Sequence, residues 1–295
     1  MIVHLAVVLA VSTAAALTAE PLSRRLAPAS AVRLLTAVAV LTGLLTLWVL
    51  TALALGGLGE VRWLADRLGC CQSITQVRHD VPLGLSALAA VALVALAVRA
   101  ARLIRGWREL AVEPSSDALA VIPTAEAVAY VVPGRPGHIV ASQGMLSLLD
   151  AQERRAMLAH EQAHLDLAHH RYLRAAELAA GVPLLRPVAR ANRYATERWA
   201  DEEAAVAVGD RRLVARALSR AALATTPSVP AGAVGLVGEG MVERVAGLMD
   251  RPMPSLDPTQ AVLLAVTVAT LLTSAAATVR LHDVAAALTH MCGFR

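Results

Sequence analysis

Long uncharged apolar runs constrain this chain more than any other feature of its sequence. Hydrophobic residues make up 57% of the 295 residues and charged residues only 17%. An ordinary soluble domain has about 45–50% apolar and about 25% charged residues. A helix that crosses a bilayer needs about 20 apolar residues, with about 17–25 tolerated. Four runs approach that length and predict a mainly α-helical, four-transmembrane-helix protein, with spans at about 2–19, 34–58, 81–98 and 259–279.

The first run has a second reading as a cleaved signal peptide. Ala16-Leu17-Thr18-Ala19 resembles a small-residue cleavage site. A signal peptide begins with a positively charged region, however, and none precedes this run, which favours an uncleaved span.

The arginines predict the orientation of the chain in the membrane. There is no lysine, so all 27 basic residues are arginine. Arg24, Arg25 and Arg33 follow the first run, and four arginines follow the third run within 99–108. Basic loops stay on the cytoplasmic side, so we expect residues 99–258 to be cytoplasmic. Because four runs are expected to cross the membrane, the lipid bilayer is a predicted partner.

The net charge of +4 does not indicate a nucleic-acid-binding protein. Between Arg99 and Pro258 the sequence has 19 arginines against 18 acidic residues, a net charge of +1. A protein that binds DNA concentrates positive charge on a folded domain. We therefore expect no direct contact with nucleic acid.

The predicted organisation has four parts. A membrane region with three spans covers 1–105, and one folded domain covers 106–258. The fourth span covers 259–279, and a short external tail covers 280–295.

Short elements can be placed within the folded domain. Strand-like runs at 127–132 and 139–142 flank a Pro/Gly-rich turn and predict a small β-hairpin. The second of these strands is either an edge to which a substrate peptide adds or part of the core. Asp150 and Glu153 predict a capping box. We expect the helix that follows to reach about Tyr172, and further helices at about 188–208, 211–223 and 241–249.

The predicted helix after Asp150 contains an HExxH motif, His160-Glu161-Gln162-Ala163-His164. Residues four apart lie on one face of a helix, so both imidazoles can bind one Zn²⁺ ion. Glu161 is offset from that face and can act as general base toward an attacking water. This pattern predicts the metal ligands and base of a zinc hydrolase. The competing reading is a chance match, because Ala-rich helices produce such patterns.

A third protein ligand is expected downstream, in an ExxAD pattern that begins at Glu197, 33 residues after His164. On a helix, Glu197 and Asp201 share a face. Glu197 can bind the metal, and Asp201 can accept a hydrogen bond from a ligand histidine and so orient its ring. Glu177 is the next choice as ligand, and the other acids considered lie on other faces: Asp166, Glu202 and Glu203.

Four nearby residues are given lesser roles. His169 and His170 are expected to be surface groups or to support a ligand, because neither shares the face of His160 and His164 well. Arg193 and Tyr194 can donate to an oxyanion, but a solvated helix face is the favoured reading.

The sequence resembles the BlaR/MecR-type integral-membrane zinc metallopeptidases, the antirepressor type. The resemblance rests on the order of spans, the HExxH and ExxAD motifs, and the segment from Val140 to Leu146. It implies a gluzincin-like cytoplasmic domain, zinc bound by His160, His164 and Glu197, and Glu161 as base. The implied activity is regulated proteolysis of a protein or peptide substrate, with a BlaI/MecI-type transcriptional repressor as a candidate.

Two departures and two alternatives accompany this resemblance. Only 280–295 follow the fourth run, where the founding members carry a penicillin-sensing domain, and a chain without lysine has no Ser-x-x-Lys acylation motif. Covalent β-lactam sensing is therefore not expected. The alternatives are an HtpX-like or CAAX-type membrane protease, which shares both motifs, and a non-catalytic scaffold that retains the zinc fold. The intact Glu161 disfavours the scaffold.

The three cysteines, Cys70, Cys71 and Cys292, are all predicted to lie outside the cell. A disulfide can persist there. A bond from Cys292 to Cys70 or Cys71 and three free thiols remain alternatives.

Overall fold

The computed structural model describes residues 2–56, 81–110, 118–134, 136–224, 234–235 and 240–249. The predicted fourth span, the external tail, the loop 60–80 and the three cysteines lie outside these residues. The described part is mainly helical, as the long apolar runs predict, and it contains a small mixed sheet.

Within the residues that the structure describes, three helices are long and apolar enough to cross a membrane. Helix α1 spans Ile2–Arg25, α2 spans Pro28–Gly56 and α3 spans Leu83–Leu110. Each covers nearly all of a predicted run and continues beyond it at the arginine-rich end. Because only Leu26 and Ala27 separate α1 from α2, these two helices pack as antiparallel neighbours. Helix α3 crosses the boundary predicted at 105.

The sheet is larger than the predicted hairpin. Strands β2 (Ala129–Val132) and β3 (His138–Ser142) form that hairpin, with Tyr130 opposite Val140. Strand β1 (Leu119–Ile122) pairs with β3 in parallel, and β4 (Val234–Gly235) pairs with β2, so the order is β1-β3-β2-β4. The reading of β3 as an edge for a substrate peptide is therefore wrong, because partners occupy both of its sides.

Six further helices complete the described fold. Helix α4 (Gln143–Leu148) follows β3 directly, and α5 (Ala151–Asp166) carries the HExxH motif. A single 3-10 turn at Pro183–Leu185 separates α6 from α7. The remaining helices are α6 (His169–Ala179), α7 (Arg186–Val208), α8 (Arg211–Ala224) and α9 (Met241–Met249).

The capping box predicted at the start of α5 is present. The Asp150 carboxylate accepts from the backbone N–H groups of Gln152 and Glu153, both at 2.9 Å, and Glu153 accepts from Asp150 N at 3.0 Å. Glu153 is buried and also binds Arg220 of α8 at 2.6 Å. These contacts fix the start of α5 against α8, in a core formed by the sheet, α4, α5 and α8.

The helix through the HExxH motif is shorter than predicted. It ends at Asp166, and a new helix begins at His169, so the expectation of one helix to about Tyr172 is wrong. Between them Ala168 has φ 51° and ψ 42°. This left-handed conformation costs a residue other than glycine about 1–2 kcal/mol, and no glycine or proline marks the break in the sequence.

Helix α7 joins the membrane helices to the rest of the fold. One of its sides packs against α1 and α2 through Val188, Ala191, Ala195 and Trp199. The buried Asn192 amide donates to Val32 O at 3.1 Å and to Thr36 Oγ1 at 2.8 Å, both on α2. The membrane helices and the predicted 106–258 domain therefore share a continuous packed interface.

We predict that Gly144→Ala strongly destabilises the fold. The added Cβ would lie 2.1 Å from Ala125 O and 2.8 Å from Glu126 O, so backbone must move. Overpacking of this kind costs about 1–3 kcal/mol or more. Thermal unfolding of the detergent-solubilised protein should show a clearly lowered midpoint.

Gly106→Ala in α3 is the matched control, because its Cβ meets nothing within 4 Å. It should leave the midpoint unchanged or raise it, since alanine is favoured by about 1 kcal/mol in helices. Equal stability of the two variants would contradict the close approach at Gly144.

Candidate metal centre

Helices α5 and α7 bring the predicted ligands together. His160, His164 and Glu197 each offer one ligand atom, and these atoms lie within 4.8 Å of one another. The two Nε2 atoms are 3.2 Å apart. Glu197 Oε2 lies 3.6 Å from His160 Nε2, and Glu197 Oε1 lies 3.7 Å from His164 Nε2. All three side chains are buried.

These distances fit a tetrahedral zinc ion. Zinc bonds of about 2.0–2.2 Å to nitrogen and oxygen separate tetrahedral ligand atoms by about 3.3–3.6 Å. The three separations in the structure, 3.2, 3.6 and 3.7 Å, are close to this range. Two imidazoles and a carboxylate are also a ligand set found in zinc hydrolases, where a fourth position stays open. The residues present therefore fit the ion that the sequence predicts.

The other candidate acids have different partners or positions. Glu202 forms a two-point ion pair with Arg211, and Glu203 accepts from the Trp199 indole N–H at 3.0 Å. Asp166 is exposed and accepts from Gln162 at 2.7 Å. Among the described residues, Glu177 joins no group of possible metal ligands. The structure thus places only Glu197, of the acids considered, with the two histidines.

Each of the two candidate ligand histidines has a partner at its other ring nitrogen. His160 Nδ1 lies 3.0 Å from Asp201 Oδ1. His164 Nδ1 lies 2.9 Å from Nδ1 of His169, the first residue of α6. Such outer partners fix the tautomer and the ring orientation of a metal ligand. The structure therefore puts Asp201 in its predicted place and gives His164 a supporting residue as well.

The His164–His169 contact defines the protons on both rings. If His164 Nε2 faces a metal, Nδ1 must carry the proton and donate it to His169 Nδ1. His169 is then neutral, with its own proton on Nε2. Burial, together with the charge of His160, lowers the pKa of His169 to about 3, which agrees with a neutral ring.

The position of His169 follows from the break at Ala168. Had α5 continued, His169 would have pointed about 140° away from His164, since successive residues turn by about 100°. The new helix redirects it, and its ring packs 4.9 Å from Trp199 of α7. His170 is only half-buried and lies outside the cluster. Sequence periodicity could not have found this contact.

Arg244 of α9 completes the centre, and sequence reasoning missed it. Its Nε and Nη2 donate to the two carboxylate oxygens of Asp201, both at 2.8 Å. Its Nη1 lies 3.1 Å from Glu197 Oε2. The side chain is fully buried. Arg244 therefore holds both acids of the ExxAD pattern at once.

A sequence signal for Arg244 did exist. It shares the buried face of α9 with Leu248, one turn later. An arginine on the inward face of an amphipathic helix needs a buried acidic partner, because an unpaired buried charge is very costly. Gly240 sets the approach of this helix: its φ is 70°, and a Cβ there would lie 2.5 Å from the Tyr194 ring.

Glu161, the predicted base, is fully buried, and its carboxylate interacts with the charge of Arg244.

The two residues considered as oxyanion donors lie elsewhere on α7. Arg193 is exposed, and Tyr194 packs beneath the guanidinium groups of Arg24 and Arg198. Neither belongs to the group formed by His160, His164 and Glu197.

The charges of the cluster also suit a divalent cation. Glu161, Glu197 and Asp201 are three buried carboxylates against the one guanidinium of Arg244. With neutral histidines this leaves an excess of two negative charges, which a dication balances. Burial would raise the pKa of Asp201, but the Arg244 guanidinium outweighs it and holds that pKa well below its ordinary value.

Without a metal, a proton bound to a histidine neutralises part of this negative charge. Burial alone would lower the pKa of His160, but contacts with Asp201 and Glu197 outweigh it and raise that pKa to about 9. Burial, with the charge of His160, holds the pKa of His164 well below its ordinary value. The metal-free centre thus contains one protonated histidine at neutral pH.

Comparison with known proteins agrees with a metallopeptidase site. Residues 99–182 match the family model described as Peptidase family M48. The matched segment contains the HExxH motif and ends before Glu197, and it is under a third of the chain. No curated protein and no solved structure matches the chain. The match supports a metallopeptidase, and the three apolar helices suggest that it is membrane-associated.

We predict that zinc binding releases one proton at neutral pH. Zinc requires a neutral His160, whose pKa is about 9 in the metal-free protein. The apparent affinity should therefore rise about tenfold per pH unit up to that value and then level off. Calorimetry at pH 7 in two buffers of different ionisation enthalpy measures the proton count.

The same ionisation affects stability with a defined sign. Because the folded-state pKa of His160 is raised, protonation stabilises the metal-free fold fully below the unfolded value of 6.5. This contribution is lost as pH rises through about 9. The zinc affinity tests the same ionisation. An affinity that does not change with pH between 6.5 and 8.5 would contradict the raised pKa of His160.

We predict different effects for the two ExxAD acids. Glu197→Ala removes a ligand and should leave the protein without stoichiometric zinc. Asp201→Asn removes the charge that faces His160 and should weaken zinc binding about 10–100-fold. Metal analysis and competition with a chelator measure both effects.

Glu202→Ala is the control for this pair, because Glu202 lies on the same helix and binds Arg211 instead. It should keep wild-type zinc affinity. Tightly held zinc in Glu197→Ala would assign the third ligand to another acid.

Proposed function

We propose that this protein is a membrane-bound, zinc-dependent endopeptidase. The observation that carries the proposal is the buried group of His160, His164 and Glu197, with Glu161 beside it on α5. The family-model match over 99–182 supports peptidase chemistry. The gluzincin-like ligand set that the sequence resemblance implies agrees with this group.

The residues of the centre have different proposed roles in hydrolysis. His160, His164 and Glu197 would hold the ion, while Asp201, His169 and Arg244 orient these three side chains. When bound, zinc would polarise the scissile carbonyl and make a water nucleophilic at neutral pH. The Glu161 carboxylate takes the proton of the attacking water and delivers it to the leaving amine.

The substrate is proposed to be a protein segment in an extended conformation. The centre consists of five buried side chains: His160, Glu161, His164, Glu197 and Asp201. Arg244 of α9 contacts the two carboxylates of α7, Glu197 and Asp201. A folded surface cannot reach such a centre, whereas a single extended chain requires the least space. The arginine-rich ends of α1 and α3 favour the cytoplasm as the side of cleavage.

Regulated proteolysis is the proposed biological role. A BlaI/MecI-type repressor is proposed as substrate on the sequence resemblance alone. An HtpX-like role in membrane quality control has the same chemistry and predicts broad cleavage of unfolded proteins. The substrate range therefore separates the two roles.

We predict that Glu161→Gln abolishes proteolysis and retains zinc. The substitution keeps the shape and the ligands but removes the base, whose loss costs about 10²–10⁴-fold. The full chain, reconstituted with zinc, is incubated with β-casein and with a BlaI/MecI-type repressor, and products are identified by mass spectrometry.

Asp166→Asn, an exposed acid on the same helix, should cleave like the wild type. Cleavage of casein would favour quality control, and selective cleavage of the repressor would favour regulation. Full cleavage by Glu161→Gln, or none by the zinc-loaded wild type, would disprove the proposed mechanism.

A further inference from the structure

A cavity separate from the metal centre lies where α1 ends against the first turns of α7. Its volume is about 710 Å³. Leu17, Pro21, Arg24 and Arg25 line it from α1, and Arg190 and Tyr194 line it from α7. Gly240, just before α9, also contributes to the wall. No ligand of the metal centre lines this cavity.

The cavity has an apolar part and a basic part in a definite order. Ala16 and Leu17 belong to the apolar run of α1, and Leu17 is 73% exposed. Arg24 and Arg25 come two turns later, at the end of the same helix. If α1 crosses the membrane, the apolar part is at acyl-chain depth and the arginines are at headgroup depth.

Neighbouring residues of the chain support this depth. The 3-10 turn before α7 has Leu184 exposed, and Leu178 at the end of α6 is also exposed. Ala179 approaches Gly43 in the apolar run of α2, at 3.4 Å from a Cβ built there. The beginning of α7 therefore lies beside the apolar part of the spans, and Arg190 comes one turn later.

The charge of the cavity is positive. Three arginines line it, Arg24, Arg25 and Arg190, against the single acid Glu20. Arg24 is already paired, with Glu20 at 3.0 Å and with Glu243 of α9 at 3.3 Å. No carboxylate lies within 4.0 Å of the Arg190 guanidinium in the described part of the chain. Arg190 is thus available to an anion from outside the protein.

We propose that this cavity binds an anionic phospholipid from the cytoplasmic leaflet. Arg190 contacts the headgroup phosphate, Arg25 adds positive charge at the same end of the cavity, and an acyl chain lies along Leu17. Basic pockets beside transmembrane helices on this side of a membrane bind such headgroups. The proposal depends on the membrane position of α1 and is independent of peptidase activity.

The site also connects the lipid to the metal centre. Tyr194 lies three residues before Glu197 on α7, and Arg24 binds Glu243, the neighbour of Arg244. A lipid in the cavity therefore contacts α1 and α7 next to the helix that carries Arg244. We expect bound anionic lipid to raise the thermal midpoint of the full chain.

Lipid binding to the full-length protein in detergent tests the proposal. The probes are phosphatidylglycerol and phosphatidylcholine with the same acyl chains, and native mass spectrometry measures each affinity. Phosphatidylglycerol should bind at least about fivefold more tightly, and Arg190→Gln should remove about fivefold of its affinity. Arg25→Gln combined with Arg190→Gln should abolish the preference.

Arg193→Gln is the matched control, since Arg193 is exposed on the same helix and does not line the cavity. It should keep the wild-type preference. An equal loss in Arg193→Gln would indicate general surface charge and overturn the proposal.

Two further outcomes would also overturn it. Equal affinity for the two lipids would show that headgroup charge is not recognised. Displacement of phosphatidylglycerol by millimolar inorganic phosphate would indicate a site for a free anion. Because no arm measures proteolysis, each outcome leaves the peptidase proposal to be judged by Glu161→Gln.

Discussion

The buried ion pair between Arg244 and the two acids of α7 is the interaction on which the centre depends. Asp201 and Glu197 face His160 and His164 in an interior where an isolated carboxylate is very costly. Arg244 bonds both oxygens of Asp201 and contacts Glu197. Removing one partner from such a pair typically costs about 3–5 kcal/mol. Helix α9 therefore contributes Arg244 to the candidate metal centre and Leu248 to the hydrophobic core.

Helix α7 contacts both the candidate metal centre and the long apolar helices, so these two parts of the fold are not separate units. Its one side carries Glu197 and Asp201 toward α5, and its other side packs on α1 and α2 through an apolar cluster and Asn192. A helix shared in this way holds the metal ligands at a fixed distance from the spans. The cavity beside Tyr194 lies on the same helix, so the lipid proposed to bind there would contact the helix that carries Glu197 and Asp201.

The break after α5 shows how a strained residue shapes the candidate metal centre. Ala168 adopts a left-handed conformation that alanine disfavours. The break lets His169 approach His164 and stack near Trp199, which a continuous helix would prevent. Residues held in such conformations persist only where surrounding contacts outweigh the cost. Here the contacts are the one between His169 and His164 and the packing of α6 on α7.

The sequence by itself determined what depends on local periodicity and spacing. Apolar runs predicted helices long enough to span, the four-residue spacing put His160 and His164 on one face, and Asp150 with Glu153 marked the start of α5. Tertiary structure alone decided which groups meet across elements. The pairing of β1 with β3, the turn of His169 back to His164 and the reach of Arg244 to Asp201 join residues whose contact no short-range period encodes. Their positions depend on chain reversals and side packing, and those follow from burial of the whole fold.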